Sequence, residues 1–309
     1  MNKEGKFSNK IWNAFRFLTM NMEEDVEYEP TTDIDTENLV DRWMMSRIHQ
    51  TIKEVEEDFQ NYKLNDALKK VYSLIWDDFC DWYIELAKPA NYGDKFDKER
   101  LNVALGMFEQ LMKLLHPFMP FISEEIWQHI DERSSKEALC ISDWPNYDAD
   151  KVSVEDVELF ESMQEMVSAL RNIRSEMGVS PKQDIEVLIK SVNADKIEAN
   201  EWIIRKLQVI KSLFISTDLE KPKACASALV GNDEIYVQMF GLVDVDKEIE
   251  RIKKEMERVE GFLKSVNGKL NNSSFVDNAP DAVVQNERNK KRDGEANLEK
   301  LKEQLKDFQ

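Results

Sequence analysis

The residues in this sequence that are best suited to chemistry are basic, and they cluster towards the C-terminal end. Between positions 264 and 292 there are six lysines and arginines but only three acidic residues. The six are Lys264, Lys269, Arg288, Lys290, Lys291 and Arg292. Although the whole chain carries a net charge of −19, the local field decides whether phosphate is attracted. The cluster therefore indicates a partner that contains phosphate; the alternative is an ordinary solvated charged surface.

No other group of residues in the sequence indicates a catalytic or metal site. The three histidines have neither HExxH nor another metal-ligand spacing, and no Walker A, GxGxxG or GxSxG motif occurs. The three cysteines are far apart and form no CxxC pair, which argues against a zinc ribbon or a disulfide framework and indicates a reducing compartment. Cys80 lies among aromatic residues in a predicted helix, so we expect a buried and unreactive thiol.

Two predicted helices carry the basic cluster. Apolar residues recur at alternating steps of four and three from Val245 to Leu270, which is the a/d seam of a coiled coil. After a break at 271–274 and 279–280, four apolar residues share one face of a second helix: Val284, Leu298, Leu301 and Leu305. We therefore predict an antiparallel coiled-coil hairpin, whose limbs of about 28 residues are each about 40 Å long.

The second limb of this hairpin has the weaker seam. Glu287, Lys291 and Gly294 occupy three of its seam positions, where a coiled coil normally has apolar side chains. Glycine inside a helix also costs roughly 1 kcal/mol relative to alanine. We therefore expect the middle of the second limb to pack loosely.

The first half of the chain is predicted to be a helical bundle. Apolar residues recur with a helical period in five stretches, at about 6–21, 36–61, 64–88, 97–131 and 154–177. Thr36 is the expected N-cap of the second helix, and two prolines interrupt the fourth helix at 116–120. Long amphipathic helices in sequence favour a bundle architecture.

Between the bundle and the hairpin, the hydrophobic period changes from 3.6 to 2 residues. This pattern predicts three or four strands and a helix, with strands at 185–189, 213–216, 226–230 and 235–239 and the helix at about 199–207. The predicted fold is therefore mainly α. Its three parts are a helical bundle at 1–150, a linker helix with a small α/β module at 151–243, and a coiled-coil arm at 244–309.

Composition and charge limit the class of protein further. With 42% hydrophobic residues and seven tryptophans, the chain can bury a core, which argues against global disorder. No apolar run approaches 18 residues and the N-terminus lacks a signal-peptide pattern, so we expect a soluble cytoplasmic protein with no membrane partner. Residues 247–309 hold 14 of the 42 basic and 13 of the 61 acidic residues, which gives this segment +1 and the rest of the chain −20.

Four motifs in the first half of the chain occur together in an order that is typical of one group of enzymes. They are NKIWN (9–13), DRW (41–43), FCDWYIE (79–85) and LHPFMPFISEEIW (115–127). Together they resemble the anticodon-binding helical domain of class I aminoacyl-tRNA synthetases of the valine, isoleucine and leucine group. The arm resembles that of the valyl-tRNA synthetase family, in the pairs FV (275–276), AP (279–280), VV (283–284) and ER (287–288). Isoleucyl enzymes more typically end in a cysteine-rich zinc site, and no CxxC occurs here.

The resemblance covers essentially all 309 residues, but only about the C-terminal third of such an enzyme. HIGH-like and KMSKS-like signatures of the catalytic domain do not occur in the sequence. The resemblance therefore implies the tRNA-binding part of an enzyme, inactive by itself and without a cofactor of its own. The parent enzyme would attach valine to its tRNA with ATP and Mg²⁺.

The partners implied by the resemblance are valine tRNA and the catalytic domain of the same chain, in a monomeric enzyme. Two alternatives remain open from the sequence. One is the same region of an isoleucyl- or leucyl-tRNA synthetase, and the other is a non-enzymatic coiled-coil scaffold protein.

The resemblance also implies where tRNA is contacted. On the anticodon side the expected residues are Lys6, Phe7, Lys10, Arg16, Arg171 and Arg174. An unstacked base needs an aromatic or guanidinium face, and the RNA backbone needs cations. The alternatives are that Phe7 is a core residue, that Lys10 holds the bundle against the catalytic domain, and that Arg171 and Arg174 form surface salt bridges. In the arm, the six basic residues from 264 to 292 are expected to contact the outer corner of the tRNA, where the D and T loops meet.

Overall fold

The chain folds into two compact units, Met1–Met163 and Gln164–Gln309. The computed structural model describes residues 3–22, 26–34, 37–89, 95–131, 133–134, 136–239, 241–242, 245–272 and 280–307. Each unit contains its own buried apolar side chains. None of the helices in the described ranges is long and apolar enough to cross a membrane.

The first unit is a bundle of helices, as the hydrophobic period predicts. Its helices are α1 (Lys3–Thr19), α2 (Leu39–Gln60), α3 (Leu64–Ser73), a π-helix (Leu74–Tyr83), α4 (Ile84–Ala87), α5 (Lys98–Leu115) and α6 (Pro120–Ile130). Two short 3₁₀ turns follow, at Leu139–Ile141 and Ala149–Lys151, and α7 (Val154–Glu176) continues into the second unit. Aromatic rings fill the core, with Trp43 stacked on Phe160 at a centroid distance of 4.0 Å and Phe79 stacked on Phe108 at 5.3 Å.

The start of α2 differs from the prediction. Its N-cap is Asn38, whose side-chain oxygen accepts hydrogen bonds from the backbone N–H groups of Val40 and Asp41 at 2.9 and 3.3 Å. The predicted cap, Thr36, lies outside the described residues. Asparagine and threonine are both common N-caps, so the sequence offers two candidates within three positions, and the later one is used.

The predicted helix at 64–88 is continuous, but ten of its residues, Leu74–Tyr83, form a π-helix. A π-helix has wider hydrogen-bonded turns than an α-helix, so it changes which residues share a face. The helical run ends at Ala87, and Lys88 is extended, with ψ 144°, as expected for a residue that precedes a proline. The wider turns place Trp76 and Asp81 beside α1, where both contact Lys10.

The predicted interruption at 116–120 separates two helices, α5 and α6. Pro120 is the first residue of α6, where a missing N–H leaves no hydrogen bond unmade. On α5, Gly106 permits a close backbone approach, because a Cβ at this position would lie 2.1 Å from the carbonyl oxygen of Thr31. The segment at 26–34 therefore packs directly on α5, and Thr31 donates its N–H to Asn102 O at 3.0 Å.

The second unit contains the predicted small α/β module. Its strands are β1 (Ile185–Lys190), β2 (Ile210–Ser216), β3 (Cys225–Val230) and β4 (Asp233–Gln238), in the sheet order β2-β1-β4-β3. β1 and β2 are parallel and are connected through α8 (Ala194–Ala199) and α9 (Glu201–Leu207), whereas β4 is antiparallel to both of its neighbours. The predicted helix at 199–207 thus has an additional turn before it, separated by a break at Asn200.

Two long helices, α10 (Val245–Leu270) and α11 (Asp281–Asp307), form the predicted hairpin. Their facing positions are buried and include Ile252, Val259, Leu263 and Val266 on α10 and Val284, Glu287, Gly294 and Leu301 on α11. Residues 273–279, among them Phe275, Val276 and Ala279, lie outside the described residues.

The middle of the second limb does not pack loosely, contrary to the prediction. Gly294 is buried, and a Cβ there would come within 2.8 Å of Leu263 Cδ2 on the opposite helix. The glycine therefore makes room for a leucine from the other limb. Glu287 is also buried, and its carboxylate is neutralised by two lysines. The seam is completed by a close contact and an ion-pair cluster instead of a second row of leucines.

Candidate nucleic-acid interface

Two of the six arm cations, Lys264 on α10 and Arg288 on α11, project from the hairpin as exposed side chains. Among the residues that the structure describes, neither has a carboxylate within the ion-pair distance of 4.0 Å. A cation without a protein partner keeps its full charge for a ligand. Lys264 and Arg288 are therefore the arm residues that are most available to a phosphate.

The other four arm cations are engaged in ion pairs. Lys269 and Lys290 lie 3.5 and 2.8 Å from the two carboxylate oxygens of the buried Glu287. The hydrogen bond from Lys290 is the main reason why the pKa of Glu287 is lowered, and Lys269 adds to this effect. The remaining pairs are Lys291 with Glu295 at 3.8 Å and Arg292 with Asp293 at 3.3 Å. The structure thus brings the predicted cations together on two adjacent helices, but gives them different roles.

On α1, the four predicted residues divide into two exposed cations and two packed side chains. Lys6 and Arg16 are exposed. Phe7 is only 4% exposed, and its ring centroid lies 4.5 Å from that of Tyr72. Its ring therefore belongs to the core, in agreement with the alternative drawn from its spacing, and presents no free face to a base.

Lys10 connects α1 to the π-helix. Its ammonium lies 2.6 Å from Asp81 Oδ1 and 3.8 Å from the centroid of the Trp76 ring. An ion pair and a cation–π contact of this kind hold a side chain in place. Lys10 therefore contributes to the packing within the first unit.

Arg174, near the end of α7, has the most extensive polar contacts of the predicted residues. Its Nη1 donates to the carbonyl oxygens of Ser180 and Gln183, both at 2.8 Å, and its Nη2 donates to Val209 O at 2.6 Å. The residue is 3% exposed, and within the described ranges no carboxylate lies within 4.0 Å of its guanidinium. The alternative of a surface salt bridge is therefore wrong for Arg174, because its guanidinium turns inward to the backbone.

The end of α7 explains why these carbonyls converge on Arg174. Gly178, at φ +64°, reverses the chain, and the N–H of Val179 donates to Arg174 O while that of Gly178 donates to Ser175 O. This is a Schellman motif, which requires a left-handed residue after the helix. The chain then passes back over the guanidinium before it enters β1. Burial lowers the pKa of Arg174 from its usual value, and the more distant Asp184 opposes this.

A cavity of about 730 Å³ lies beside Arg174. Its lining includes four basic residues and one acidic residue: Arg171, Arg174, Arg205, Lys206 and Asp184. Arg171, Arg205 and Lys206 are exposed, and Arg205 pairs with Glu201 at 3.0 Å. Sequence reasoning identified Arg171 but missed Arg205 and Lys206, because these residues follow much later in the chain and no local pattern connects them.

The three cysteines differ in their burial, and Cys80 is less buried than the sequence predicts. Burial raises the pKa of Cys80 to about 12, and the side chain is half-buried instead of fully buried. Cys225 is buried and Cys140 is exposed. Nowhere in the described ranges do three or more His, Cys, Asp or Glu side chains come together as a metal site.

Comparison with known proteins matches two regions of the chain to two family models. The anticodon-binding domain of tRNA ligase matches residues 41–189, and the valyl tRNA synthetase tRNA binding arm matches residues 244–309. The valine-tRNA ligase of Fusobacterium nucleatum is 37% identical over 312 residues, which cover 98% of this chain and 35% of that protein.

Other curated relatives give the same result. The valine-tRNA ligase of Christiangramia forsetii is 37% identical and covers 98% of this chain, with 34% of its own length matched. That of Bacillus subtilis is 34% identical and covers 93% of this chain, with 33% of its own length matched. The chain spans about a third of the length of the curated relatives it matches. With both modules matched in order, this chain belongs to the valyl-tRNA synthetase family.

Proposed function

We propose that this chain is the tRNA-binding part of a valine-tRNA ligase and that its partner is valine tRNA. The observation that carries the proposal is the succession of an anticodon-binding domain and a valyl-specific tRNA-binding arm along one chain. The names of the curated relatives support the choice of valine over isoleucine or leucine. An anticodon-binding domain is not expected in a non-enzymatic coiled-coil scaffold protein.

The two modules divide the work of recognition. The helical bundle, proposed to occupy residues 1–150, contacts the anticodon region, with Lys6 and Arg16 as its exposed cations among the predicted residues. Arg171, also predicted for that side and exposed, lies beyond the bundle on α7. Phe7, Lys10 and Arg174 support the surface through the contacts that bury or pair them. The α/β module at 151–243 connects the bundle to the arm at 244–309.

The arm contacts the outer corner of the tRNA through phosphate. Lys264 and Arg288 make the direct contacts, because they have no carboxylate partner in the described part of the chain. Lys291 and Arg292 pair only with exposed carboxylates, so these pairs can open for a phosphate at small cost. Lys269 and Lys290 hold the hairpin together and add to the local positive field.

The parent enzyme attaches valine to this tRNA with ATP and Mg²⁺, and its catalytic domain is a further partner of the chain. We propose that the enzyme is monomeric and works in the cytoplasm, where aminoacylation supplies protein synthesis. In this proposal, the residues of this chain position the tRNA, and they take no part in forming the bond between valine and the tRNA.

A filter-binding titration of the chain with valine tRNA at several salt concentrations tests the proposal. We expect binding that weakens as salt rises, in proportion to the number of phosphates neutralised. The matched control is the same tRNA body with its anticodon bases exchanged, which should bind less tightly. Absence of binding at low salt would contradict the proposal, and tighter binding of an isoleucine or leucine anticodon would contradict the valine assignment.

A further inference from the structure

The cavity beside Arg174 is unusual in this protein because of its charge. Outside residues 247–309, 28 basic residues face 48 acidic ones, yet the cavity lining has four basic residues and one acidic residue. The four come from two helices, with Arg171 and Arg174 on α7 and Arg205 and Lys206 in the last turn of α9. Two helices thus place basic side chains along the lining of one cavity, in a protein whose net charge is negative.

Arg174 supplies a second, independent observation. The residue is 3% exposed, and its guanidinium has no carboxylate within 4.0 Å in the described ranges. Its Nε also has no hydrogen-bond partner among the described residues, although Nη1 and Nη2 donate to three carbonyl oxygens. Buried charges in proteins are normally paired, and a buried N–H without an acceptor is rare. Arg174 therefore lacks a directly bonded anionic partner among the described residues.

The opening and composition of the cavity indicate what kind of anion it takes. The cavity is open to solvent, so it can admit a group whose chain continues outside it, and the exposed cations lie at its edge. Arginine binds phosphate oxygens in a bidentate manner, and lysine adds a point charge. Asp184 is the one acidic residue among the described residues of the lining, and Arg205 is paired with Glu201 at 3.0 Å in a partly exposed ion pair, which a phosphate can open at small cost. These features fit a phosphodiester that remains connected to a longer backbone.

We propose that this cavity binds a backbone phosphate of the tRNA, with Arg171, Arg205 and Lys206 as its contacting cations and Arg174 as a buried charge behind them. The inference rests on the proposed function and adds to it a contact site within the α/β module, separate from the arm cations. The module then acts as a third point of contact. It fixes the tRNA backbone without reading its sequence.

The test compares two double variants of the whole chain. Arg205→Gln with Lys206→Gln removes two positive charges from the cavity, and Lys221→Gln with Lys223→Gln removes two from the loop between β2 and β3, which does not line it. We expect the first variant to bind valine tRNA about tenfold more weakly, as for the loss of one charge-assisted hydrogen bond. Its salt slope should fall by about one. The second variant should bind as the unmodified chain does.

A cross-linking measurement gives a readout that does not depend on affinity. A photo-reactive group attached to Lys206→Cys, in a chain whose native cysteines are replaced by Ser, should cross-link to valine tRNA, and the same group on Lys223→Cys should not. Unchanged affinity of the Arg205→Gln/Lys206→Gln variant, or equal cross-linking from both positions, would overturn the inference. If arm variants weaken binding while the cavity variant does not, the cavity proposal fails and the proposed function stands. If the unmodified chain does not bind tRNA at all, both fail.

Discussion

The carboxylate of Glu287 lies 3.5 Å from the ammonium of Lys269 on the opposite helix of the hairpin. It also accepts a hydrogen bond from Lys290, one turn further along its own helix, at 2.8 Å. Because Glu287 is buried in the seam, these two lysines balance its charge and belong to the packing of the arm. A charge reversal at Lys269 or Lys290 would therefore change folding and binding together, whereas Lys264 and Arg288 allow the two to be separated.

Reversal of charge at Lys264 and Arg288 should weaken tRNA binding and leave the hairpin folded. Both side chains are exposed, so Lys264→Glu with Arg288→Glu leaves the packing of the seam unchanged. The loss of affinity should be the same for tRNAs with different anticodons, because phosphate contacts position the RNA without reading it. Filter binding should show a salt slope reduced by about one for each phosphate that is no longer neutralised.

A matched control for this variant is available on the same two helices. Lys253 on α10 and Lys300 on α11 are exposed and lie outside the 264–292 cluster. Lys253→Glu with Lys300→Glu changes the net charge by the same amount and should have little effect on binding. Equal weakening in the control, or weakening confined to one anticodon, would contradict the role given to Lys264 and Arg288.

The stability of the hairpin should depend on pH through Glu287. Its pKa in the folded arm is held below the usual value of 4.5, first by the hydrogen bond from Lys290. A carboxylate with a lowered folded pKa contributes stability that is fully present above its unfolded pKa and is lost as the pH falls through the folded value. The protection factors of the α10 and α11 amides, calculated against the intrinsic exchange rate at each pH, should therefore fall as the pH is lowered from 7 to below the usual glutamate pKa.

Glu287→Gln is the control for this measurement, because the pKa values of two other carboxylates of the arm are also lowered. Glu250 and Glu255 also have lowered pKa values, because of hydrogen bonds from Lys254 and Arg258. The difference in amide protection between the unmodified chain and Glu287→Gln measures the contribution of the Glu287 carboxylate. If both lose protection equally with falling pH, Glu287 does not stabilise the hairpin.

Replacement of Arg174 by Lys should destabilise the second unit although the charge is kept. The guanidinium donates to three carbonyl oxygens in three different residues, and the single ammonium of lysine cannot reach this arrangement. Carbonyl groups left buried without donors cost about 1–3 kcal/mol each, so we expect a loss of about 3 kcal/mol in the free energy of unfolding. Arg171→Lys, at an exposed position on the same helix, should have a much smaller effect. Denaturation followed by circular dichroism would measure both, and a similar stability of the two variants would contradict this role.

The three cysteines should differ in their reaction with iodoacetamide. Cys140 is exposed, Cys225 is buried, and Cys80 has a pKa raised to about 12 by burial. Because the thiolate is the nucleophile, only Cys140 should be alkylated readily at about pH 8. Mass spectrometry after a short reaction gives the modified position directly. Alkylation of Cys80 as fast as Cys140 would show that the Cys80 thiol is not shielded by burial.

The periodic parts of the fold could be predicted from the sequence, and the parts that depend on a single local choice could not. The helices, the four strands and the seam of the hairpin follow from spacing that repeats over many residues. The N-cap at Asn38 and the π-helix at Leu74–Tyr83 are each decided by a few hydrogen bonds. A feature that depends on a few hydrogen bonds produces no repeating pattern of hydrophobic residues from which it could be predicted.

The candidate site shows the same limit. Exposure of Lys264 and Arg288 is consistent with their positions off the seam, but the capture of Lys269 and Lys290 by Glu287 depends on contacts across the hairpin. Likewise, nothing near Arg174 in the sequence predicts that its donors are used by residues 180, 183 and 209. Residue type and spacing identified the cations, and only the fold separates those that support the surface from those that remain available.

Gly294 determines how the two limbs of the arm are aligned along their length. Leu263 packs where the glycine has no side chain, and the seam positions one heptad away on α11 are Glu287 and Leu301, which both have one. Sliding one helix past the other by a heptad would therefore drive Leu263 into a carboxylate or a second leucine. The residue with the lowest helix propensity in α11 thus fixes the register of the two helices. The register in turn sets the distance between the cations of α10 and those of α11.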